Sequence, residues 1–252
     1  MSGHSKWATI KHKKAKVDAQ RGVSFAKASR DIMVAVKEGG ADPSGNFRLK
    51  TAIEKAKESG LPNDNIKRAI ERASGGGAES NLEEINYEGY GPGGVAIIIE
   101  AMTDNRNRTA GDIRSYFNKN NGNLGETGCV GWMFKAQGVI SVEKSGVNQD
   151  ELFDAAINAG AEDFLASEED EEDFKIITTP ETMQTIAEKI EKAGYKIKSA
   201  EKTKTPENTV PVQDEEAAKY LLRLLGSIEE HDDVQNVYAN FEMDDILLEK
   251  FS

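Results

Sequence analysis

Apolar residues recur at helical spacing through the first third of the chain, and beyond it helical and extended patterns alternate. Phe25, Ile32, Met33 and Val36 share one side of a helix that Gly39-Gly40 stops. Phe47, Ile53 and Ala56 mark a second helix, ended by Gly60. Ile66, Ala69, Ile70 and Ala73 mark a third, which opens after Leu61-Pro62-Asn63 and runs into Gly75-Gly76-Gly77. Residues 1–78 therefore read as an all-helical domain with a flexible glycine hinge behind it.

From Tyr87 the period changes. Val95 to Met102 is an apolar run rich in β-branched residues, Ala110 to Asn120 is helical, and Val130 to Phe134 is extended again. A second unit is more complete. It runs strand Val139 to Glu143, helix Gln149 to Ala159, short extended Glu162 to Leu165, strand Phe174 to Thr178, helix Pro180 to Ala193 and strand Tyr195 to Ala200. Asn148 and Glu151 have capping-box spacing, and Pro180 suits a first helical turn. That order is the βαββαβ of a ferredoxin-like module. Thr209 to Val212, the leucine-rich helix Asp214 to Ser227 and Val234 to Phe241 then supply pieces that complete the unit begun at Tyr87. The expected class is α+β with three domains: a basic helical domain at 1–78, a split α+β domain at 79–131 plus 206–252, and a ferredoxin-like α+β domain at 132–205 inserted in it.

Charge changes the picture more than composition does. The 252 residues are 38% hydrophobic and 30% charged, as expected of a globular chain, and carry a formal −12. Residues 1–78 nevertheless hold 16 of the 32 Lys and Arg and only 8 of the 44 Asp and Glu, a local +8 against −20 for the remainder. Phosphate backbones respond to such a local basic face rather than to the whole-chain sum. Lys11, Lys13, Lys14, Lys16 and Arg21 cluster against one acid, Asp18, and on the next helix Lys27, Arg30 and Lys37 share a sector opposite Phe25, Ile32 and Val36. Lys6 and Trp7 precede them, and Trp7 with His4 suits stacking on exposed bases. The competing reading is a solvated lysine face and a Trp7 core anchor. A second contact is Thr103-Asp104-Asn105-Arg106-Asn107-Arg108-Thr109, where Arg106 and Arg108 at a helix N-terminus suit a bidentate phosphate contact. Its rival is a capped turn whose arginines pair with nearby acids.

Catalytic and cofactor readings lack their parts. Gly89-Tyr-Gly91-Pro-Gly93-Gly94 matches G-x-G-x-x-G, yet a strand rather than a helix follows it, so a glycine-rich turn is expected. There is no Walker A sequence, and His4, His12 and His231 lack metal spacing. The single cysteine, Cys129, excludes an internal disulfide and has no evident base partner. The six acids Glu168 to Asp173 lack the spaced ligands and glycine of a calcium loop. An enzyme using the 103–109 loop lacks a general base and a nucleophile. No metal, cofactor, small-molecule substrate or membrane partner is expected. The opening carries no secretory pattern, which makes the cytoplasm the expected compartment.

The opening Ser2-Gly-His-Ser-Lys-Trp7, continued by Ile10 to Gly22, resembles the start of the YebC family of bacterial and mitochondrial proteins. The likeness extends through Tyr87 to Ala96, Thr103 to Thr109, Gly122 to Gly125 and Gly128 to Val130, and so spans nearly the whole chain. The resemblance implies three domains and a non-enzymatic role. Members are customarily assigned as DNA-binding transcriptional regulators, and some act as translation factors on the ribosome at consecutive prolines. The expected partner is DNA, ribosomal RNA or both, with the ribosome as the alternative setting. The absence of an evident helix-turn-helix or heptad seam leans toward shape and backbone recognition, while the customary assignment leans toward DNA.

Overall fold

In the computed structural model, which describes residues 25–75, 82–165 and 173–251, three helices come first: α1 (Phe25–Gly39), α2 (Phe47–Glu58) and α3 (Asn63–Ala73). The apolar period explains their buried sides: Ile32 to Val36 of α1, Ala56 of α2, and Ile66 and Ala69 of α3. Phe25 departs from that period. It occupies the first residue of α1, ahead of the packed run, and is half exposed. Gly40 and Gly60, behind α1 and α2, hold φ of +87° and +83°, a conformation glycine adopts without strain. Asn46 caps α2 by accepting from Leu49 N at 3.0 Å, while its amide donates to Ala35 O at 2.7 Å and Gly40 O at 2.8 Å.

Two α+β sheets follow. The first has order β3–β1–β2–β9, formed antiparallel by β1 (Glu83–Tyr90), β2 (Ala96–Thr103), β3 (Asn123–Leu124) and β9 (Val234–Ala239). β1 precedes the first strand expected from the sequence, and the glycine-rich stretch is a 3-10 turn joining β1 to β2, with Gly93 at φ +75°. Helices α4 (Arg106–Lys119) and α7 (Glu215–Glu229) cover one face. There Ile97 and Ile99 of β2 meet Ile113 and Phe117 of α4 and Leu221 and Leu225 of α7. On the other face Ile98 packs with Val130, Phe134 and Tyr238. A strand covered on both faces is buried along its length rather than alternating, which is the pattern of β2; the one charged residue in it, Glu100, is half-buried and accepts from Asn236 at 2.9 Å and from Tyr238 at 3.3 Å. β8 (Val210–Pro211) does not enter this sheet. It pairs in parallel with β10 (Phe241–Glu242), and α8 (Asp245–Phe251) places Leu248 in the same core.

The second sheet is the ferredoxin-like one. β4 (Phe134–Glu143), α5 (Gln149–Ala159), β5 (Asp163–Leu165), β6 (Asp173–Thr178), α6 (Met183–Lys192) and β7 (Ile197–Pro206) run βαββαβ with sheet order β5–β6–β4–β7. Ile140, Val142 and Ile176 pack against Leu152 and Ala156 of α5 and Ile186 and Ile190 of α6. The sequence suggests two short extended pieces near 130–134 and 139–143, but β4 is one strand of ten residues. Gly138 sits inside it because a Cβ there would collide with Thr178 and Met183, so it marks a close approach rather than a break. The chain divides into two compact units: the described parts of residues 1–34, 56–135 and 205–252, and those of 35–55 and 136–204.

Candidate nucleic-acid interface

Helix α4 begins four residues before the apolar period does. Asn105 accepts from Arg108 N at 3.1 Å, and Thr103 Oγ1 accepts from Asn105 N at 2.9 Å, so Arg106 and Arg108 stand in the first helical turn rather than in a loop. A cation in that turn faces the positive end of the helix dipole, and Arg108 is compensated by acids. Its Nη2 donates to Asp104 at 2.8 Å and to Asp233 at 3.1 Å. These bonds raise its already high pKa, the one to Asp233 most.

Asp233, just ahead of β9, is the hub. Its side chain is 2% exposed, yet Arg30 pairs with Oδ1 at 2.8 Å, while Thr109 at 2.6 Å, Thr103 at 3.1 Å and Arg108 donate to Oδ2. Burial pushes its pKa up, but the hydrogen bonds from Thr109 and Arg108, the Arg30 charge and the Thr103 hydroxyl outweigh it and hold the carboxyl below the ordinary aspartate range. Asp233 N donates to His231 Nδ1 at 3.1 Å. In the neutral ring that fixes the proton on Nε2, 3.3 Å from Asp112. Lys27 donates to Glu229 O at 2.6 Å, and Arg30 reaches Asp232 O at 3.2 Å. The basic side of α1 thus meets the segment Glu229-Glu-His-Asp-Asp233.

Of the residues singled out in the sequence, Lys27, Arg30 and Arg108 are therefore engaged by neighbouring acceptors. Arg106 is exposed, with its carbonyl 3.4 Å from the Tyr87 hydroxyl, and among the described residues no carboxylate pairs with it. Lys6, Trp7, Lys11, Lys13, Lys14, Lys16 and Arg21 lie outside the described residues. Sequence reasoning passed over Lys67, Arg68 and Arg72 on α3. These three and Arg114 on α4 are exposed, with no carboxylate partner among the described residues. The signal was present. The apolar side of α3 at Ile66, Ala69 and Ile70 leaves 67, 68 and 72 facing outward.

A second missed feature lies on the sheet. Glu88 of β1 is buried and accepts from Gly128 N at 2.8 Å, Val130 N at 2.8 Å and Gly131 N at 2.7 Å. That carboxylate clamps the 128–131 turn and with it Trp132, 71% exposed, whose indole N–H donates to Cys129 O at 3.3 Å. Tyr90 donates to the same oxygen at 3.3 Å. Burial and then the Glu88 charge push the Cys129 thiol up, the reverse of an activated nucleophile. Among the described residues no group of His, Cys, Asp and Glu is placed to hold a metal ion, and no helix is long and apolar enough to cross a membrane.

Comparison with known proteins places this geometry in a lineage. Residues 5–76 match the profile described as the TACO1/YebC protein N-terminal domain, and residues 82–241 match that of the TACO1/YebC second and third domain. A protein of Natranaerobius thermophilus called a probable transcriptional regulatory protein is 53% identical over 99% of both chains. One of the same description from Pelotomaculum thermopropionicum is 54% identical, over 97% of this chain and all of its own. A crystal structure of a conserved hypothetical protein from Aquifex aeolicus superposes with a TM-score of 0.75 at 47% identity, covering 92% of this chain and 94% of that one. The chain belongs to the TACO1/YebC family.

Proposed function

We propose that this protein is a nucleic-acid-binding regulator of gene expression that works by binding rather than by chemistry. The carrying observation is the set of exposed cations that have no carboxylate partner among the described residues, Lys67, Arg68 and Arg72 on α3 and Arg106 and Arg114 on α4. In an acidic chain such cations are available to phosphate, and the basic cluster Lys6 to Arg21 adds to them. The relatives' description as probable transcriptional regulatory proteins supports DNA as the target. The raised Cys129 thiol, which is the reverse of an activated nucleophile, supports a non-enzymatic role.

A second reading, a ribosome-associated translation factor that relieves stalled elongation, is favoured by α1. Lys27 and Arg30 are tied to the 229–233 segment and Ile32 to Val36 are buried, which removes α1 as a helix for the major groove. Recognition then rests on backbone and shape, which structured ribosomal RNA offers as well as a duplex does.

The test is binding to a DNA duplex and to a ribosomal RNA fragment as a function of salt. Replacing Arg68, Arg72, Arg106 and Arg114 with Gln flattens the slope of log affinity against log salt by about 0.7 to 0.9 per lost contact. An unchanged slope in the folded variant overturns the interface. Affinity for one polymer and not the other decides between the readings.

A further inference from the structure

From residue 145 to residue 174 the chain has eleven Asp and Glu and no Lys or Arg. Within that stretch α5 buries Leu152 and Ala156 and leaves Phe153 and Ile157 outside, 45% and 44% exposed. Four residues apart, they are neighbours on one side of the helix, and Asp150 and Asp154 flank them. Phe153 is braced from below. Its ring stands edge-on to Phe164 of β5 at 5.7 Å, and Phe164 leans on Phe174 of the core at the same distance. Leu165, also exposed, points to the opposite side of the edge strand by the alternation of side chains and takes no part. Lys189 donates to Ala159 O at the C-terminal end of α5, outside the Phe153–Ile157 stripe.

From this surface we infer that α5 is a docking site for a basic amphipathic protein segment, one that lays apolar side chains on Phe153 and Ile157 and sets Lys or Arg against Asp150 and Asp154. Charge selects the occupant. An aromatic side chain propped by the core and flanked by Asp150 and Asp154 is an unfavourable seat for nucleic-acid phosphate, anionic lipid or the same face of a second copy, whereas a cationic segment is steered to it. Aromatic anchors of this kind carry most of the energy of an interface, and acids around them set the choice of partner. The site is distinct from the cations of α3 and α4, so it stands or falls independently of the nucleic-acid reading.

The probe is a fluorescent amphipathic helix of Leu and Lys, titrated against the full chain by anisotropy, with a Ser and Lys peptide of equal charge as control. The Leu–Lys peptide binds, and Phe153→Ala and the double change D150K/D154K each weaken it by about tenfold or more, while affinity for duplex and ribosomal RNA is unmoved. Ile157→Asp gives the same loss and supplies a second variant should Phe153→Ala fail to fold, which circular dichroism reports. Equal binding of the Ser–Lys peptide overturns the proposal by reducing the surface to a charge sponge. So does a loss of RNA or DNA affinity in Phe153→Ala, or a dimer in sedimentation that Phe153→Ala dissolves, because each assigns the face to another occupant.

Discussion

Asp233 gathers two arginines and two threonine hydroxyls on a side chain that water hardly reaches, and each of its oxygens carries structural work. Asp233→Asn removes the charge and leaves the Arg30 guanidinium, 15% exposed, without its carboxylate partner and with the Asp232 carbonyl alone. Loss of about 2 to 4 kcal/mol of stability is expected, measured by urea unfolding at neutral pH. Because the folded carboxyl is held below its ordinary range, its contribution is complete above the ordinary aspartate pKa and is lost as pH falls through the depressed value. The acid limb of a stability profile is therefore shallower in Asp233→Asn than in the parent. Cys129 is the counterpart for reactivity. With its thiol pushed up, it alkylates more slowly at pH 7 than a free cysteine does, and unfolding in denaturant abolishes the difference.

Elements were legible where a period expressed them. The 3.6-residue spacing of Ile66, Ala69 and Ile70 locates α3, and the βαββαβ order carries the ferredoxin-like module. Three features escaped for physical reasons. β1 opens Glu83-Glu84 and buries Glu88, so no apolar run announces it; its partner is a set of backbone N–H groups forty residues away. The first turn of α4 has no apolar residue facing the core, and only the cap at Asn105 defines it. The basic side of α1 looks solvent-facing in sequence because what receives it, the carbonyls of Glu229 and Asp232 and the Asp233 carboxylate, lies two hundred residues on. Asn105→Ala is expected to destabilise by about 1 kcal/mol, read from thermal unfolding, and to loosen Arg106 and Arg108 together.

Across the whole molecule, one core is assembled from distant stretches. Ile97 and Ile99 are sealed by α7, and β2 is flanked by β9, both from the last forty residues. A chain ended after residue 205 leaves β2 with an open edge and a face that only α4 still covers; it is expected to aggregate in gel filtration and to lose cooperative melting. Contacts of such sequence separation also slow folding, since the intervening chain must close before they form.

The Glu88 clamp has an optical consequence. It holds Trp132 in water while the rest of its turn is ordered, and the only other tryptophan is Trp7. In a Trp7→Phe variant the emission of the native protein already lies at the wavelength of a hydrated indole, so unfolding barely shifts it and a melting curve recorded by emission colour looks flat. The same fluorophore is left free to report what lands on the 128–134 turn.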